Sequence, residues 1–150
     1  MQSKLLYENE GLRTFAVILE TGDEVMSSLQ KFADSERLNA AQLSAIGAFS
    51  RAVLGYFEWE TREYRRIPVP DQVEVASLNG DVAIGPDGAR ALHMHTVLGQ
   101  RDGRAVAGHL LEGHVRPTLE VVLTELPAHL CKRHDPESGL ALIRPDQHDG

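Results

Sequence analysis

The sequence predicts an α+β protein: a mainly antiparallel, partly barrel-like β-sheet with one principal amphipathic helix. Two observations carry this. Short runs rich in β-branched and aromatic residues recur along the chain, separated by Gly, Pro, Asn and Asp at hairpin-length intervals. Only one segment, following Thr21, has a clear helical stripe of apolar residues. One helix cannot cover a large sheet, so the remaining apolar face must close on itself or meet another subunit.

The elements follow in order. Arg13–Glu20 (RTFAVILE) reads as the first strand. Thr21-Gly22-Asp23-Glu24 has the form of a capping box with Thr21 as N-cap, and a helix should run from there to about Glu36. Val25, Leu29, Phe32 and Ala33 share one face of it. Ala40–Phe49 is expected as a strand weakened at Gly47, and Ala52–Trp59 as a second, with Ser50-Arg51 turning between them and Gly55 marking a bulge or close contact. Glu63–Val69 is a charged edge strand, since Pro68 and Pro70 suit an edge or loop. Asn79-Gly80 signals a hairpin between Val73–Asn79 and Asp81–Ile84. Gly85-Pro86-Asp87-Gly88 is a further turn.

Leu92–Leu111 reads as two antiparallel strands joined by Gln100-Arg101-Asp102-Gly103-Arg104. After it, Glu112-Gly113-His114 and Pro117 are expected to form a turn, and Leu119–Leu126 the last long strand. Leu140–Ile143 is a short closing strand, and Pro145–Gly150 a loose tail.

The 150 residues suit a single domain with a sizeable core, centred on residues 13–143. An apolar content of 42% and a charged content of 25% are those of a soluble globular protein. No apolar run approaches a membrane span, and the N-terminus lacks the apolar stretch of a signal peptide. Cys131 stands alone, which excludes an internal disulfide and fits a reducing cytoplasm. The net charge of −7 disfavours duplex DNA as a partner of this chain alone, and Arg62, Arg65 and Arg66 are interleaved with Glu58, Glu60 and Glu63.

Chemistry concentrates in the two strands of Leu92–Leu111. Alternation aims His93 and His95 at one face, and the returning strand can bring His109 beside them. Three imidazoles there would suit zinc, copper, iron or nickel, zinc above all, and would leave a fourth position open for a small molecule. Gly108 beside His109 marks a close approach of something to the backbone. Glu112 and Glu120 are the carboxylates that could move a proton in an enzyme built on this site, although an exposed turn residue explains Glu112 better and an outward-facing strand residue explains Glu120 equally well. His114 reads as a turn residue, and Cys131, between His129 and His134, as an ordinary thiol. No Ser-His-Asp or Cys-His arrangement and no phosphate loop is apparent.

Thr21-Gly22-Asp23-Glu24, Ala45-Ile46-Gly47-Ala48, Gly55-Tyr56-Phe57 with Tyr64, Glu74 to Gly80, His93-Met94-His95, Gly108 to Gly113 and Glu120-Val121-Val122 follow one another in a characteristic order and spacing. Through these pieces the chain, between Arg13 and Ile143, resembles the PPC (plants and prokaryotes conserved) domain of the stand-alone prokaryotic type. The resemblance implies a homotrimer with a metal held by His93, His95 and His109. Members are often labelled DNA-binding, which keeps a DNA-binding regulatory protein as an alternative, although this chain has no Arg-Gly-Arg-Pro AT-hook core. A more distant similarity to acetolactate decarboxylase, which holds zinc through a His-x-His pair and a third His, raises the alternative of a decarboxylase or lyase.

Overall fold

The computed structural model describes residues 1–145. Its elements are β1 (Gln2–Asn9), β2 (Leu12–Glu20), α1 (Val25–Ser35), β3 (Ala40–Glu58), β4 (Glu63–Val69), β5 (Val73–Ile84), β6 (Arg90–Gly99), β7 (Ala105–Glu125), β8 (Lys132–His134) and β9 (Ala141–Ile143). Seven strands form one antiparallel sheet in the order β1-β2-β7-β6-β5-β3-β4, and β3 also pairs with β7. That extra pairing closes β7, β6, β5 and β3 into a ring, with β1–β2 and β4 as flaps. The sheet is thus partly barrel-like with a single helix, as the strand pattern requires. The expected tail of Pro145–Gly150 lies, from residue 146 onward, outside the described residues.

The ring closes because its inward faces are apolar. Met94 and Leu98 of β6 point in, together with Val75, Leu78 and Val82 of β5, Leu43 and Leu54 of β3, and Leu110, Leu119 and Leu123 of β7. Helix α1 buries Val25, Leu29, Phe32 and Ala33, the face read from the sequence, and lies on β6 and β7. Phe32 meets Phe15 edge-on, with ring centroids 5.3 Å apart. Burying each large side chain of this face stabilises the fold by about 1.5–3 kcal/mol.

Several expectations give way to longer strands. Ser50-Arg51 is not a turn: β3 runs through it for 19 residues, bending at bulges so that its first half pairs with β5 and its second with β4. Gly47 is the first bend, with φ +155°, and a side chain there would place Cβ 2.2 Å from the carbonyl oxygen of Thr118. Asn79-Gly80 is not a hairpin either. It lies inside β5, opposite His95 and Met94, and Gly80 lets β6 approach, since a Cβ would sit 2.3 Å from the carbonyl oxygen of His93. The turn expected at Glu112–Pro117 is continuous strand, bent at bulges against β3 and with a cis Arg116–Pro117 peptide.

The helix cap also moves. Glu24, not Thr21, is the N-cap: its carboxylate accepts from the N–H groups of Met26 and Ser27 at 3.1 and 2.8 Å. Gly22, at φ +98°, turns the chain between Thr21 and the helix and leaves the Thr21 hydroxyl to donate to the Pro117 carbonyl at 3.3 Å. Strand β1 is exposed along its whole length, so no buried face marks it in the sequence. The closing strand at Leu140–Ile143 is present as β9, paired with a short β8.

Candidate metal centre

Alternation along β6 sorts its side chains cleanly. Met94, Thr96 and Leu98 are buried inside the ring, so His93 and His95 stand on its outer face. Strand β7 places His109 directly opposite His95. The three rings lie with centroids 5.1–5.3 Å apart. Nε2 of His93 is 3.2 Å from Nε2 of His95. One ring nitrogen from each of the three lies within 4.8 Å of the others. Zinc–nitrogen bonds of 2.0–2.1 Å at tetrahedral angles require ligand nitrogens roughly 3.4 Å apart, a spacing that the His93–His95 pair already approaches. Nδ1 of His109 is buried without a hydrogen-bond partner, a polar atom that a bound ion or a second-shell group would satisfy.

The surroundings favour neutral, ligating imidazoles. Burial, then the neighbouring His93, His95 and Lys132, push the His109 pKa down to about 4. Burial and the nearness of His93 lower that of His95. On the strand beside them, Asp81 is paired in register with His93; its Oδ2 lies 3.6 Å from His93 Nδ1 and its Oδ1 3.2 Å from Lys132 Nζ. Burial works against the Asp81 carboxylate, yet His93 and Lys132 outweigh it and hold the group below its ordinary range.

Two glycines shape the wall behind His109. Gly55 of β3 is its register partner, and a Cβ at Gly55 would come within 2.8 Å of Tyr64. The missing side chain lets Tyr64, from β4, lie over His109 with ring centroids 4.6 Å apart and planes inclined by 27°. Gly108 is the close-approach glycine: what approaches it is β3, whose Gly55 carbonyl oxygen would be 2.9 Å from a Cβ.

The other sequence candidates sit elsewhere. Glu112 is half-exposed and ion-paired with Arg66. Glu120 faces solvent eleven residues beyond His109 on the same strand, at about 3.3 Å of chain per residue, far outside hydrogen-bond reach. His114 lies in β7, with its ring against Arg51. His134 belongs to β8, and Cys131 is a free thiol bridged through its backbone to Ile84. Asp81, Lys132 and Tyr64 were missed. Asp81 was hidden by the hairpin reading of Asn79-Gly80, whereas a continuous β5 sets it opposite His93.

Residues 7–127 match the profile of the Plants and Prokaryotes Conserved (PCC) domain. The chain belongs to this family. Among solved structures it is similar to a plant- and prokaryote-conserved protein of Pyrococcus horikoshii, at 31% identity over 91% of this chain and 94% of the other, with a TM-score of 0.83. A metal-containing protein of Archaeoglobus fulgidus shares 28% identity over 96% and 99%, with a TM-score of 0.81. A Ralstonia eutropha protein described as a DNA-binding candidate shares 25% over 87% and 90%, at 0.80. Acetolactate decarboxylase of Bacillus subtilis shares the fold over 74% of this chain and 52% of its own length, at 13% identity and a TM-score of 0.54. No curated protein matches the sequence.

Proposed function

We propose that this PCC-domain protein is a homotrimer that binds one divalent metal per chain, zinc by preference, through His93, His95 and His109, and presents the ion to a small-molecule ligand. The observation that carries the reading is the convergence of three imidazoles on the outer face of a rigid ring. The metal-containing relative from Archaeoglobus supports it. When bound, zinc would supply Lewis acidity toward an oxygen of the ligand. The protein residues fix the imidazoles, exclude water behind His109 through Tyr64, and hold a carboxylate beside His93. With a net charge of −7 and no AT-hook, duplex DNA is left out of this reading. We assign the protein to the cytoplasm on its single thiol and its composition. Among the described residues no helix is long and apolar enough to cross a membrane.

A lyase-type enzyme is the second reading, favoured by the fold shared with acetolactate decarboxylase. It must find its proton carrier somewhere other than Glu112, which Arg66 engages, or the distant Glu120.

Metal analysis of tag-free protein purified without chelator is expected to give about one metal per chain. Replacing His95 with Ala should remove most of it, and replacing His134 with Ala should leave it bound. Equal retention by both variants, or no uptake of offered Zn²⁺ by the wild type at neutral pH, would refute the assignment.

A further inference from the structure

The C-terminal ribbon delivers a lysine to a place where lysines are rarely found. Lys132 opens β8 and is only 5% exposed. An ammonium is seldom taken out of water unless a carboxylate meets it. Here that carboxylate is Asp81, with Nζ 3.2 Å from Oδ1. The other oxygen of Asp81 faces Nδ1 of His93 at 3.6 Å, and the opposite nitrogen of that ring, Nε2, faces His95 at 3.2 Å. A line of polar atoms therefore runs from the ribbon, across β5, into the histidine cluster.

The ribbon is anchored so that the lysine has little freedom to leave. The Ile84 N–H donates to the Leu130 carbonyl at 2.8 Å, and the Arg144 N–H to the Cys131 carbonyl at 3.0 Å. Asp135 ties the far end by accepting from the Ser138 N–H and hydroxyl and from Arg144. Lys132 lies beyond residues 7–127, outside the stretch that matches the family profile, whereas Asp81 lies within it.

We propose that Lys132 and Asp81 act as a positioning pair for the metal centre: Lys132 fixes the Asp81 carboxylate, and Asp81 fixes His93 as the Nδ1-protonated tautomer with Nε2 free to bind the ion. The inference rests on the reading of the three histidines as a metal centre. A neutral imidazole has one donor and one acceptor nitrogen, so a carboxylate beside Nδ1 selects the proton there and leaves the lone pair on Nε2. Lys132 completes the arrangement by neutralising a half-buried carboxylate and keeping it aimed at the ring instead of at solvent. Neither residue touches the ion; both act through His93.

The test is zinc affinity, measured by chelator competition on the full chain, combined with long-range ¹H–¹⁵N spectra of the histidines in metal-free protein. Asp81→Asn and Lys132→Met should each bind Zn²⁺ about 10–100-fold more weakly, the usual loss for an outer-shell partner. Lys132→Arg should recover most of that loss. In metal-free wild type, His93 should carry its proton on Nδ1, and Asp81→Asn should shift it toward Nε2. Should Lys132→Met fail to fold, the double variant Asp81→Asn/Lys132→Met leaves no lone buried ion and should bind zinc as weakly as Asp81→Asn alone. Wild-type affinity in the variants, or an Nε2-protonated His93 in the wild type, overturns the positioning role and leaves the metal centre standing. A wild type that takes up no zinc overturns the metal centre and this role with it.

Discussion

His109 ties part of the protein's response to acid to a single ring. Its pKa in the folded chain is about 4, lowered by burial and by the basic groups around it, against about 6.5 when unfolded. Between those values the unfolded chain binds the extra proton and the folded chain does not. The stability present above pH 6.5 is therefore lost as the pH falls toward 4, by up to about 1.4 kcal/mol per pH unit from this group. His95 acts in the same direction. Urea unfolding of chelator-treated protein at pH 7, 6 and 5 should show this decline, and His109→Gln should flatten it. Parallel curves for the two proteins would mean that the ring is not protected as described. The three histidines were legible because a period of two needs no tertiary information: buried Met94 and Thr96 fix which side His93 and His95 must take. Lys132 was not legible, because its partner Asp81 lies 51 positions away and nothing local marks the pair.

At the scale of elements, the helix start shows what local signals miss. The local pattern makes Thr21 the N-cap and Glu24 its N3 partner, yet Glu24 is the residue that caps. The choice is tertiary: the Glu24 carboxylate accepts from the first turn of α1 and also from the Gly113 N–H of β7 at 3.3 Å. These backbone donors overcome the burial that would otherwise raise its pKa. Glu24→Ala should cost about 1–2 kcal/mol in denaturant unfolding, since it removes a cap and unpairs a strand N–H. Thr21→Ala should cost less, and a larger loss at Thr21 would reverse the assignment. The long strands were misread for a related reason. Glycine beside a polar residue marks a turn only when no neighbouring strand comes close, and at Gly80 the neighbour is β6. The hairpin through Gln100–Arg104 formed as read, its loop closed by the Gln100 N–H donating to the Arg104 carbonyl at 2.7 Å.

For the whole molecule, the outer face that carries no histidine argues for further burial. Where β2, β7 and β3 run side by side, Ile18 and Ile46 flank Glu120 in register, and Val122 stands two residues along β7; Ile46 and Val122 are 60% and 47% exposed. Leu5, Leu6 and Tyr7 add exposed apolar surface on β1. A lone chain would leave these residues in water, and the proposed trimer gives them a partner. Light scattering coupled to size exclusion should return about three times the 16.5 kDa chain mass. A monomer at micromolar concentration would refute the trimer, and a trimer left intact by Ile46→Lys together with Val122→Lys would refute this face as its interface.

The ring closure has a kinetic consequence. Its seam joins Ala41 to Glu125 and Gly55 to His109, partners 84 and 54 positions apart. Contacts of such span form late, after the entropy of a large loop has been given up, and they place the protein among slow folders, on the order of milliseconds to seconds. His109 meets His95 through the short hairpin, but Gly55 and Tyr64, which back His109, arrive only with the seam. An encounter of metal with the nascent hairpin would then be loose and reversible, and tight capture would wait for the barrel. On dilution from denaturant in the presence of Co²⁺, the visible absorption of the bound ion should rise with the slow folding phase and not ahead of it.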